Sequence, residues 1–218
     1  MADPAVAVAV TSDSDRLDRM LAEASDCIRA GGVVAYPTEH FYGLGADPFN
    51  TAAVARLFAL KCRSADKPIL VGIADLAALE RLTDGLPDGI EALLQAWPRG
   101  LTLILPAAAA LAPGITAATG TVGVRLIQGG TGMELIRQAG GALTATSANP
   151  SGAGATGDPE RVAELLPDLD MVIDAGVLPE GRRSTIVDVT KRPWRMLRDG
   201  AAAREAITPF GVLEEMGD

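Results

Sequence analysis

The chain has 218 residues, 48% of them hydrophobic and only 4% aromatic, enough to bury a sizeable core of Ala, Val, Leu and Ile. A formal net charge of -9 and a pI near 4.7 exclude a surface that grips nucleic acid non-specifically over its whole extent. Two cysteines far apart, Cys27 and Cys62, exclude a disulfide framework and a cysteine metal site, and no apolar run reaches the roughly 18 residues of a membrane span.

The N-terminal MADPAVAVAVTSDSD has no basic segment before its short apolar run, so it does not read as a signal peptide, and a cytoplasmic protein is expected. AVAVAV is either a strand added to a sheet or a loose arm. Leu17, Met20, Leu21, Ala24, Cys27 and Ile28 recur at helical spacing, and Gly31-Gly32 stops that helix. VVAYPT predicts a buried strand and YGLGADPFN a glycine-rich loop, with Asn50 as N-cap of a helix over TAAVARLFALK. ILVGIA predicts a strand, and Asp75 caps a short helix after it. LTLILP and TVGVRL are strands, GMELIRQAG a helix, and ALTATSA a strand. Asp158-Pro159-Glu160 opens a helix. MVIDAG, STIVDV and WRMLR complete the strands, before a small helix and a frayed tail. This alternation predicts a single α/β domain: an open, twisted, mixed sheet with flanking helices and a central concave cleft. The expected divisions are an N-terminal arm over 1–16, the domain over 17–205 and a tail over 206–218.

Three segments carry chemistry. In LFALKCRSADKPI an apolar helix ends in Lys61, Arg63 and Lys67. Cations there complement a helix dipole. They equally suit a polyanionic ligand, because Pro68 opens a strand and the group lies at an element boundary. In TATSANPSG a strand runs into Ser147 and Asn149, two apart just before Pro150, so an extended backbone turns both toward one face. That is a polar cradle at a strand's C-terminal end, or an ordinary turn. In AYPTEHFYGLG, Thr38 ends a strand, Gly43 and Gly45 admit close backbone approach, and Tyr42 is a ligand contact or a packed aromatic.

Together these segments resemble the YrdC-like family, the threonylcarbamoyl-adenylate synthases. The resemblance rests on Pro37-Thr38-Glu39 with Tyr42-Gly43-Leu44-Gly45, Lys61-Cys62-Arg63 with Lys67-Pro68, and Ser147-Ala148-Asn149. It also rests on VGVR ending at Arg125, STIVD from Ser184, and LRDGA containing Arg198, all in the family's order over roughly residues 17–205. The chain resembles the family's short, single-domain form. Three positions depart from the pattern: Arg99, Gly72 and Ile127.

The resemblance implies condensation of L-threonine, bicarbonate or CO2, and ATP to threonylcarbamoyl-AMP and pyrophosphate. A partner tRNA threonylcarbamoyl transferase would then use the product. It implies Mg²⁺ with the ATP and no metal held by the protein. Lys61 and Arg63 are the expected catalytic phosphate ligands. Ser147, Asn149, Ser184 and Arg198 join them on the nucleotide, and Thr38, Tyr42 and Arg125 form the threonine pocket. The chemistry fits a chain with one histidine, His40, and no GxxxxGK[ST] loop, because such a transfer needs positioning and charge stabilisation rather than a protein nucleophile. A different class remains open. Arg182, Arg183, Lys191, Arg192, Arg195, Arg198 and Arg204 crowd a short segment, as in an RNA-binding or nucleotide-binding module with little synthase activity and a weak tRNA contact.

Overall fold

A computed structural model describes residues 8–10 and 14–214. The helical spacing near the N-terminus becomes α1 (Ser14–Arg29), and β1 (Val8–Val10) precedes it, so the described part of AVAVAV is a strand. There follow β2 (Val34–Pro37), β3 (Tyr42–Gly45), α2 (Thr51–Leu60) and β4 (Val71–Ile73). A 3-10 turn leads into α3 (Leu79–Leu82), then α4 (Glu91–Ala96), β5 (Leu101–Pro106), α5 (Pro113–Thr116) and β6 (Thr121–Leu126). The chain continues through α6 (Gly130–Gln138), β7 (Ala142–Thr144), β8 (Thr146–Ser147), α7 (Pro159–Leu165) and β9 (Met171–Asp174). β10 (Thr185–Asp188), β11 (Trp194–Arg198) and β12 (Leu213–Glu214) complete it.

The expected mixed α/β architecture with an open sheet is present, with its strands divided between two sheets. One runs β1-β9-β2-β3-β8, the other β12-β11-β10-β5-β6-β4-β7. Met20, Leu21, Ala24 and Ile28 of α1 are buried against Val34 and Tyr36 of β2, Ile136 of α6 and Leu143 of β7. Burying one such Leu or Ile side chain is worth about 1.5–3 kcal/mol. The two expected caps are in place. Asn50 Oδ1 accepts from the N–H groups of Ala52 and Ala53, and Asp158 Oδ1 accepts from Glu160 ahead of Pro159.

Four expectations are corrected. YGLG is not loop but strand β3, antiparallel to β2 and β8. A Cβ on Gly45 would lie 3.1 Å from the Tyr36 ring, so glycine is what lets β3 run beneath that ring. ALTATSA is not one strand. β7 pairs with β4 in the seven-stranded sheet and β8 pairs with β3 in the five-stranded one, with Ala145 alone between them. The end of the chain forms 3-10 turns and then β12, which pairs with β11, and residues 215–218 lie outside the described residues. Similarly, α6 begins two residues earlier than the sequence suggests, at Gly130. Gly132 is required there, because a Cβ would fall 2.2 Å from the Pro37 carbonyl oxygen.

Candidate active site

The apolar run of α2 ends in a reversal with the Schellman hydrogen-bond pattern. Cys62 N–H donates to Ala59 O and Arg63 N–H to Phe58 O, with Cys62 at a left-handed φ of 47°. That reversal sends its two cations different ways. Lys61 is buried, and its Nζ donates to the carbonyl oxygens of Ser147 and Asn149, the latter at 2.6 Å. Its own carbonyl accepts from Ser151 N–H at 2.7 Å, so Lys61 clamps the turn after β8 from both ends. Burial, with Arg63 and Arg183 adding to it, lowers the Lys61 pKa to about 8. Arg63 instead lines a cleft, steadied by Nε and Nη2 donating to the carbonyls of Lys67 and Pro68.

The cleft has a volume of about 490 Å³ and lies between the two sheets. Its apolar floor comes from strands of the larger sheet, through Ile104, Ile186 and Leu197. Five cations border it: Arg63, Lys67, Arg125, Arg183 and Arg198. Burial lowers the pKa of Arg198, and its neighbours Arg183 and Arg125 add to that. Arg198 donates through Nε to Ser184 O and through Nη2 to Ser184 Oγ, while Thr102 Oγ1 also donates to Ser184 Oγ at 2.8 Å. With both acceptor positions used, the Ser184 hydroxyl has only its proton to offer. Ser147 lines the same cleft.

A second cavity of about 550 Å³ adjoins the first, and Thr38, Arg125 and Ile127 line both. Thr38 Oγ1 donates to Phe41 O at 2.6 Å. Arg125 Nη2 pairs with Glu39 Oε2 at 2.6 Å. Tyr42 borders the cleft with its ring buried, and its hydroxyl donates to Gly176 O and accepts from Ala175 N–H. Burial pushes that phenol up to about 12. Tyr42 is therefore both wall and core.

Two sequence expectations change here. Lys61 is not among the residues that line the cleft. Nor do Ser147 and Asn149 share a face. Asn149 N–H donates to Ser147 O, a tight turn that breaks the strand alternation after β8. The Asn149 amide then donates to Pro150 O and Ala153 O, leaving Oδ1 buried without a partner. Sequence reasoning read Arg183 only as part of a basic stripe, and the structure disperses that stripe. Arg183 and Arg198 face the cleft, Arg182 pairs with Asp199, and Arg192 stacks over Trp194, which is buried core. The signal for Arg183 was its place beside Ser184. His40 lines the second cavity, its Nδ1 3.2 Å from Pro179 O. Two of the departures from the family pattern touch: a Cβ on Gly72 would meet Ile127 at 3.3 Å. Arg99 donates to Gln128 O at the rim of the second cavity. Among the described residues no three His, Cys, Asp or Glu side chains gather to hold a metal ion, and no helix is long and apolar enough to cross a membrane.

The family model for Sua5/YciO/YrdC proteins, described as "Telomere recombination", matches residues 26–200. The chain belongs to the Sua5/YciO/YrdC family. The matched stretch contains every residue that lines the cation-bordered cleft. Among relatives in the family, the threonylcarbamoyl-AMP synthase of Bacillus subtilis (strain 168) is 38% identical over 206 residues, 92% of this chain and 59% of its own. The threonylcarbamoyl-AMP synthase of Thiobacillus denitrificans is 36% identical over 163 residues, 74% of this chain and 87% of its own. The crystal structure of Pyrococcus abyssi Sua5 complexed with L-threonine superposes with a TM-score of 0.84 at 34% identity, covering 90% of this chain and 59% of that one. This chain thus spans about three-fifths of the length of the B. subtilis and P. abyssi proteins.

Proposed function

We propose that this chain makes threonylcarbamoyl-AMP from L-threonine, bicarbonate or CO2, and ATP, releasing pyrophosphate. The observation that carries the reading is the junction at Arg125, which lines both a cation-bordered cleft and the adjoining cavity with Thr38 and Glu39. Both volumes fall in the range of small-molecule sites, roughly 300–1,000 Å³. Residues 17–205 are the proposed catalytic unit.

In this reading Arg63, Lys67, Arg183 and Arg198 bind the triphosphate of ATP, with Mg²⁺ arriving as part of that substrate. Ser147 and Ser184 donate to phosphate or sugar oxygens. Lys61 acts from beneath, holding the turn that presents Ser147, and Asn149 braces the same turn through its own amide hydrogen bonds. Thr38, Tyr42 and Arg125 form the amino-acid pocket, Arg125 taking the carboxylate. The threonine amine attacks CO2, forming the N–C bond and losing a proton, and a carbamate oxygen then attacks the α-phosphorus as its bond to pyrophosphate breaks. Nothing in this sequence requires a protein nucleophile. Holding two substrates in adjoining parts of one site converts a bimolecular encounter into a positioned one, and the cations stabilise the charge that develops on the leaving group. A tRNA threonylcarbamoyl transferase in the cytoplasm is the expected consumer of the product.

The test is pyrophosphate release measured with ATP and Mg²⁺, omitting threonine or bicarbonate in turn and replacing threonine by serine or valine. Release should need both co-substrates and fall with the replacements. Release indifferent to threonine, or a salt-sensitive tRNA shift with no ATP turnover, would overturn the proposal and favour a binding module.

A further inference from the structure

β9 and β10 belong to different sheets, so residues 175–184 cross from one side of the cleft to the other. The first part of this strap is moored on the five-stranded side. Ala175 N–H donates to the Tyr42 hydroxyl, which donates in turn to Gly176 O, both at 2.9 Å. The last part is moored on the seven-stranded side, just after β11. There Arg182 pairs with Asp199, and Arg183 O accepts from Ala201 N–H, both at 2.8 Å.

Between these moorings stands His40, in the turn that joins β2 to β3. Its Nδ1 lies 3.2 Å from Pro179 O, and a carbonyl oxygen can only accept, so the contact is a hydrogen bond when Nδ1 carries the proton. Its ring lies against Gly181, where a Cβ would fall 2.3 Å from Cγ and Cδ2 and 2.4 Å from Nδ1. Gly181 is not among the residues with a left-handed backbone, so glycine is needed here for the approach of the ring and not for a turn. The neighbouring Gly157 is equally confined: a Cβ on it would lie 3.1 Å from both His40 O and Leu178 O. Two residues beyond Gly181, Arg183 borders the cleft with an exposed side chain that pairs with no carboxylate among the described residues. A long, exposed side chain keeps many rotamers, so the place where its backbone is rooted decides how many of them reach a ligand.

We infer that His40 is a positioning residue for Arg183: its ring, seated on Gly181, holds the strap where it leaves the five-stranded side and so aims Arg183 at a phosphate group in the cleft. His40 acts in this role through the strap and not on the substrate. The inference rests on the reading of the cleft as the triphosphate site, and it adds the residue that aligns one of that site's cations. His40 and Gly181 work as one unit, since the ring fits only where no Cβ stands.

Titration calorimetry of the full chain with ATP and Mg²⁺ tests it through a double-mutant cycle. Arg183→Ala should lose ATP affinity on the order of tenfold. His40→Ala should lose roughly threefold or more, and the double variant should bind no more weakly than Arg183→Ala alone. A merely structural His40 would weaken binding by the same factor in both backgrounds, and that additivity overturns the inference. Gly181→Ala drives the ring and the strap apart from the other side. It should weaken ATP binding as His40→Ala does and add nothing to it, and Gly181→Ala binding like wild type overturns the inference whether or not His40→Ala folds. His40→Ala binding like wild type while Arg183→Ala binds weakly overturns the role of His40 alone. A wild type that does not bind ATP, or an Arg183→Ala that binds as wild type does, overturns the phosphate reading of Arg183 together with the inference.

Discussion

Lys61 shows what one residue can conceal. In the sequence it pairs naturally with Arg63, two cations for one phosphate. In the fold the left-handed Cys62 separates them, and Lys61 spends its ammonium on two backbone carbonyls. No pattern of side-chain types encodes that φ, since glycine is the residue that usually marks it. The pH consequence follows in sign. A folded pKa near 8 against an ordinary 10.5 means that the folded chain holds fewer protons than the unfolded one between those values. Stability should therefore rise with pH from about 8 to about 10.5 through this group, and the cost of its burial is carried in full below 8. The neutral amine still has two N–H donors for its two acceptors. The chain has three lysines, Lys61, Lys67 and Lys191, so a ¹³C NMR titration of their Cε resonances is readable. One midpoint near 8 is expected, absent in Lys61→Met, and it should move up when ATP neutralises Arg63 and Arg183. The absence of any midpoint near 8 would contradict this account.

Elements were legible where their signals are local. Asn50 and Asp158 cap helices because a short polar side chain folds back on the next two or three N–H groups, a property of a few adjacent residues. β3 was not legible, because Gly43 and Gly45 carry no side chains to show alternation, and its pairing partners lie elsewhere in the chain. The change of sheet at Ala145 was hidden for the opposite reason: the apolar rhythm of ALTATSA runs through it unbroken. Thr144 secures that corner. Its hydroxyl donates to Leu44 O and accepts from Ala46 N–H, its own N–H donates to Ala46 O, and its carbonyl accepts from Tyr36 OH. Thr144→Val keeps the volume and strands the Ala46 N–H in the core. A loss of about 1–3 kcal/mol in urea unfolding is expected. An unchanged midpoint would mean that Ala46 finds another acceptor.

On the scale of the whole molecule, the acidic total and the cationic cleft are compatible because Arg63, Lys67, Arg183 and Arg198 converge from distant parts of the sequence. The motifs marked most of these positions. They could not show that strands of two sheets face each other across the site, since that depends on long-range pairing. Local cations of this kind make nucleotide binding weaken with salt. Arg63→Ala should reduce ATP affinity at least about tenfold at low salt and flatten the salt dependence. Calorimetry at two ionic strengths checks it, and a parallel slope in wild type and variant would remove Arg63 from the site.

The single residue between β7 and β8 has a mechanical meaning. Ala145 borders the cleft and donates its N–H to Leu70 O at 2.7 Å, while the residues on either side belong to different sheets. A one-residue spacer transmits torque instead of absorbing it, so the sheets are yoked at this edge and form a fixed anvil. Travel is left to the parts of the wall outside the strands: residues 63–70, which carry Arg63 and Lys67, and the segment with Arg183. These cation-bearing stretches are expected to act as the jaw. Hydrogen exchange with and without ATP should slow along 63–70 and 180–183 and stay level in β5 and β10. Protection that instead spreads through β5 and β10 would mean that the anvil itself gives.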